Sequence, residues 1–61
     1  SERAMNKYQI GDIVWLHGGG WSNIPLIVMG YVDKYVEVFW HKTNSTLSFP
    51  ETMLHTYPQE R

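Results

Sequence analysis

Three histidines, His17, His41 and His55, are the side chains of this chain best suited to hold a transition metal, because neutral imidazole is the commonest protein ligand for zinc. No two of them stand at i, i+2 or i, i+4, the spacings that place two imidazoles on one face of a strand or helix. With each falling near a strand end, they are expected as surface or turn residues, and no metal site is expected. Acid–base catalysis would need two titratable groups whose pKa values are driven apart in a shared pocket. Asp12, Asp33, Glu37 and Glu51 are instead spread over turns and one strand, and Asp12 beside Gly11 reads as a turn former. No Ser, Asp and His set suggests nucleophilic catalysis. Gly18-Gly19-Gly20 has the composition of a phosphate cradle but lacks GxxxxGK[ST], and no helix follows whose N-terminus could hold an anion. The chain is therefore expected to be no enzyme and to carry no cofactor.

The remaining chemistry is that of apolar and aromatic contact. Leu26 to His41, LIVMGYVDKYVEVFWH, reads as two strands folded back on each other, with apolar residues on both faces of the first. Alternation puts Ile13, Trp15 and His17 of a preceding strand on one face, with Ile27, Met29 and Tyr31, and with Tyr35, Glu37, Phe39 and His41. Were these contiguous, the surface would be comparable to the ~300–600 Å² at which an exposed apolar patch usually means binding. Trp, Tyr and Met are also enriched at protein interfaces. The expected binding residues are Trp15, Met29, Tyr31, Tyr35 and Phe39, with Trp21 in the glycine loop as an adaptable contact.

The elements that must position these residues have to fit one small domain. A chain of 61 residues buries only about 60% of the surface that its unfolded form exposes. Disulfides, a structural metal or oligomerisation commonly compensate at this size. With no cysteine, disulfides and thiolate metal sites are excluded, and oligomerisation is the expected route. The lack of cysteine also fits a reducing cytoplasm. No apolar run reaches the ~18 residues of a membrane span, and no signal segment opens the chain. Net charge is −1, and Arg3, Lys7, Lys34, Lys42 and Arg61 are scattered. Phosphate binding normally shows as a basic stripe, so a dedicated nucleic-acid binder is disfavoured.

Ser1 to Ala4 precede Met5 and are expected to be a cloning remnant; 5–57 is expected as a single domain and 58–61 as a polar tail. Strands are expected at Ile13–His17, Leu26–Val32, Tyr35–His41, Thr46–Phe49 and Leu54–Tyr57. Asp33-Lys34 should form a two-residue turn and Thr43-Asn44-Ser45 a polar one. Pro50 to Met53 should form a single helical turn, since proline fits the first helical position. The fold expected is all-β, a small five-stranded barrel with one short helical turn before the last strand. Its core should hold Val14, Leu16, Leu26, Val28, Val36, Val38, Trp40, Leu47, Phe49, Met53 and Leu54. Gly30 and Val32 fall on the same face as Leu26 and Val28.

Ile10-Gly11-Asp12-Ile13-Val14-x-Leu16-x-Gly18-Gly19, then Val36-x-Val38-x-Trp40, then Phe49-Pro50-Glu51-x-x-Leu54 resembles the YodC-like family of small bacterial proteins. These resemble Src-homology-3-like barrels. The match spans most of Tyr8 to Leu54 in short pieces. It departs in the loop, where the family has Lys-Ser before Gly-Gly and a proline directly after; here Gly20 to Ile24 are inserted before Pro25. The resemblance implies the barrel and no activity. Gly11-Asp12-x-Val14, Gly19-x-Trp21, Ile27-Val28-x-Gly30-Tyr31 and Pro50-x-x-x-Leu54 are also similar to plasmid-borne type II dihydrofolate reductases, tetramers of such a barrel. Their pore is built from Val-Gln-Ile-Tyr, where this chain has Thr46-Leu47-Ser48-Phe49. The pore amide and tyrosine hydroxyl are absent, so this second resemblance implies the barrel and self-association without the enzyme.

The expected function is thus a non-enzymatic cytoplasmic interaction module that self-associates or binds a protein partner through the outer face of its first three strands. A nucleic-acid binder stacking bases on Trp15, Trp21, Tyr31 and Phe39 is the alternative, and a reductase-like oligomer with a pore between subunits is a further one.

Overall fold

The computed structural model describes residues 6–17, 20 and 24–57. The elements are β1 (Ile13–Leu16), β2 (Leu26–Val32), β3 (Tyr35–Trp40), β4 (Ser45–Pro50), a 3-10 turn (Glu51–Met53) and β5 (Leu54–His55). All pairings are antiparallel, in one five-stranded sheet of order β4-β3-β2-β1-β5. The chain is thus all-β with a short helical turn before the last strand, as its sequence implies. The presumed cloning remnant at 1–4, the polar tail, and Gly18, Gly19 and Trp21 of the glycine loop lie outside the described residues.

Each connection follows from a residue that tolerates its backbone. Gln9 to Asp12 form a turn: the Asp12 N–H donates to the Gln9 carbonyl at 3.0 Å, and the Gln9 N–H donates to the Asp12 carboxylate at 3.0 Å. Gly11 takes φ 97 there, open to glycine at little steric cost. Gly11 N–H then donates to the Val28 carbonyl and Val28 N–H to the Asp12 carbonyl, both at 2.8 Å, so the turn delivers the chain onto β2 just before β1. Asp33, at φ 58, makes the tight β2–β3 turn, and Asn44, at φ 54, closes the longer β3–β4 turn; Asp and Asn are the non-glycine residues most tolerant of this region. Pro50 ends β4 and precedes the 3-10 turn in extended conformation rather than opening it. On a strand at the margin of the sheet its missing N–H costs nothing.

Val14, Leu16, Leu26, Val28, Val36, Val38 and Leu54 are buried, as their alternation requires. Trp40, Leu47 and Phe49 pack against them half-buried. Two expectations for the core are corrected. Met53 is 40% exposed, because it lies on the 3-10 turn and points away from the sheet. Tyr8, absent from the expected core, is 2% exposed and donates its hydroxyl to the Leu54 carbonyl at 2.9 Å.

β2 carries the largest departure from simple alternation. Ile27 pairs with Phe39 and Val28 with Val38, but the next pair is Gly30 with Glu37, so Met29 is an extra residue. This β-bulge reverses the facing of all that follows. Tyr31 pairs with Val36 on the core side, whereas Val32 pairs with Tyr35 on the outside and is 52% exposed. The expected facing of Tyr31, Gly30 and Val32 is therefore inverted.

Candidate binding surface

The outer face is assembled by register. Ile13 sits opposite Ile27, Ile27 opposite Phe39, and Phe39 opposite Thr46, a row crossing four strands. Cross-strand neighbours on one face approach within contact distance, so this row is continuous. Ile27 and Phe39 are half-buried and Ile13 is exposed. Met29, pushed out by the bulge, is 48% exposed. Trp15 lies farther along β1, half-buried, opposite His55 on β5. Tyr35, 50% exposed, pairs with Val32 at the far end of the hairpin. Glu37 lies between, opposite both Gly30 and Ser48, and divides the surface into a larger lobe around Ile27 and Phe39 and a smaller one around Val32 and Tyr35. Of the residues expected on this face, Trp15, Met29, Tyr35 and Phe39 are on it, Trp21 lies outside the described residues, and Tyr31 is not on it.

Tyr31 instead belongs to a polar latch. Its hydroxyl donates to the Glu51 carboxylate and accepts the Tyr8 N–H at 3.0 Å, while the Lys7 N–H donates to the same carboxylate oxygen at 2.9 Å. Burial, and then the hydrogen bond to Glu51, raises the Tyr31 pKa above its ordinary value. The Lys7 N–H, and then the Tyr31 hydroxyl, lowers that of Glu51. This latch binds the Asn6–Gln9 segment to β2 and the 3-10 turn, which is how Tyr8 enters the core. Beside it runs an open groove lined by Tyr8, Ile10, Tyr31, Lys34 and Glu51. Its carboxylate is already engaged by two donors, which explains Glu51 as a structural residue.

Two histidines far apart in sequence meet where β1 ends. The rings of His17 and His55 have centroids 3.6 Å apart, and His55 stacks on Tyr57 at 5.0 Å. The two imidazole planes are tilted by 39° to each other, and His41 is exposed in the β3–β4 turn. Among the described residues no three metal-ligating side chains cluster. The β1–β5 pairing that creates this contact has no signature in local sequence. The latch had one: a glycine inside a strand often marks a bulge.

Among the described residues, no helix is long and apolar enough to cross a membrane. Comparison of the chain with models of known protein families, with curated proteins and with solved structures finds no significant match to any of them.

Proposed function

We propose that this protein is a non-enzymatic interaction module that buries its outer sheet face against another protein surface, and that a second copy of the chain is the occupant. The observation that carries this reading is the unbroken apolar row Ile13–Ile27–Phe39 with Met29 standing out beside it. Apolar surface of this kind is stabilised by being covered. A domain whose core has eight buried residues among those described gains much from added burial. The charge of −1 sets little repulsion between copies. Trp15, Met29, Tyr35 and Phe39 are the contact residues in this reading. A cytoplasmic setting, consistent with the absence of cysteine, and membership of the YodC-like family, consistent with the five-stranded fold, are proposed with it. Base stacking would use the same aromatics, but in sequence only Lys34 and Lys42 fall in or next to the β2–β3 hairpin to neutralise phosphate.

The test is the solution mass by light scattering over a dilution series, for the parent chain and for Met29→Lys with Phe39→Glu. The parent should associate and the double variant should stay folded and monomeric. Because Phe39 is half-buried, Ile13→Lys with Met29→Lys repeats the test at more exposed positions. Association undiminished in both variants would refute the outer face as the interface.

A further inference from the structure

β4 is a margin of the sheet that lacks the features which keep strand edges from pairing. Its residues, Ser45 to Pro50, carry no charge, run in unbroken register along β3, and hold proline only at the last position. Sheet edges are usually blunted by lysine, inward-pointing charge, a bulge or shortness. The opposite margin, β5, is protected by being two residues long.

The backbone groups that β4 turns outward follow from the β2–β3 hairpin. A two-residue turn makes Val32 and Tyr35 a hydrogen-bonded pair, so the N–H and C=O of Tyr35 point to β2. Tyr35 and Pro50 are then a non-hydrogen-bonded pair, consistent with proline having no N–H. Alternation along the ladder directs Phe49, Leu47 and Ser45 at β3, and leaves the N–H and C=O of Thr46 and Ser48 facing away from the sheet. Both residues are exposed, and no hydrogen bond outside the β3–β4 ladder involves either of them among the described residues.

We infer that β4 pairs antiparallel with β4 of a second copy, about a two-fold axis passing at Leu47. Thr46 then lies opposite Ser48 of the partner subunit, and the two symmetric pairs exchange about four main-chain hydrogen bonds. Self-pairing is favoured because the strand brings no like charges together, and because small hydroxyl side chains oppose one another across the junction. The two-fold is perpendicular to the sheet, so both outer faces lie on the same side, and the Ile27–Phe39–Thr46 row of one copy meets the row of Ser48 and Glu37 in the other. The proposal rests on the reading that copies of this chain associate, and adds a contact at a different place.

Amide exchange followed by NMR across a dilution series separates the two contacts. Thr46 and Ser48 amides should be protected at high concentration and exchange freely on dilution, whereas a dimer packed only by its outer faces leaves them free at every concentration. Thr46→Lys with Ser48→Lys opposes like charges in both pairs and should weaken association by about tenfold or more. Thr46→Lys with Ser48→Glu opposes unlike charges in the same register and should retain it. Unprotected Thr46 and Ser48 amides in an associated sample, a monomer at all concentrations, or equal behaviour of the two double variants would overturn the edge pairing. The first of these, combined with a monomeric Met29 and Phe39 variant, would leave the outer face standing alone; protected amides with that variant still associating would leave the edge alone.

Discussion

Single hydrogen bonds decide how the N-terminal segment is held, and pH reads them directly. The Glu51 carboxyl is held below its ordinary range by the Lys7 N–H and the Tyr31 hydroxyl. Its stabilising contribution is therefore complete above the ordinary glutamate range and is lost as pH falls through the lowered folded value. Tyr31 is raised, so its contribution is present below the ordinary tyrosine range near pH ~10 and is lost as pH rises through the raised folded value. Stability measured by urea unfolding should thus fall at both ends, and Glu51→Gln should flatten the acid limb. Tyr31→Phe removes one donor and one acceptor and should cost about 1–2 kcal/mol at neutral pH, while flattening the alkaline limb. Gly11→Ala introduces no contact, since nothing lies within 4 Å of the added methyl. Its cost, about 1 kcal/mol by the same measurement, should come from φ 97 alone.

At the scale of the element, β2 is governed by its bulge. Val28 and Val32 look equivalent by simple alternation, yet the first is fully buried and the second is half in water. Val28→Ala should cost about 2 kcal/mol through the cavity it leaves. Val32→Ala should change stability by less than about 0.5 kcal/mol. Equal costs in thermal or urea unfolding would show that the bulge is absent in solution. Deleting Met29 would remove the extra residue and join Val28 to Gly30, so plain alternation would keep Gly30 opposite Glu37 and Tyr31 opposite Val36, with the bonds of Tyr31 to Glu51 and Tyr8 retained. That deletion should therefore be tolerated, at a cost below that of Val28→Ala in urea unfolding.

For the whole molecule, what matters is the ratio of covered to uncovered apolar surface. Among the described residues, seven large apolar side chains, from Ile10 to Tyr57, are exposed around a core of eight. With a charge of −1, the association proposed here is apolar and main-chain in origin. Its strength by sedimentation should therefore change little between low and high salt, whereas an oligonucleotide contact would weaken steeply.

Local sequence determined the strands themselves. Val14 with Leu16, Leu26 with Val28, and Val36 with Val38 declare a period of two, and Asp33, Asn44 and Pro50 mark where strands must turn or end. These are short-range effects of side-chain alternation and backbone sterics, so they are legible without a partner strand. Register was legible only in part: Gly30 hinted at a bulge, but its place at Met29 is a compromise between β2 and β3 that neither strand encodes alone. The burial of Tyr8, the latch from Tyr31 to Glu51 and the contact of His17 with His55 join residues 23, 20 and 38 positions apart or more, and only tertiary structure decided them. The physical reason is that a hydrogen bond or ring contact between distant residues forms only once loop closure has been met by the shared core, and no local pattern records which distant group will be there.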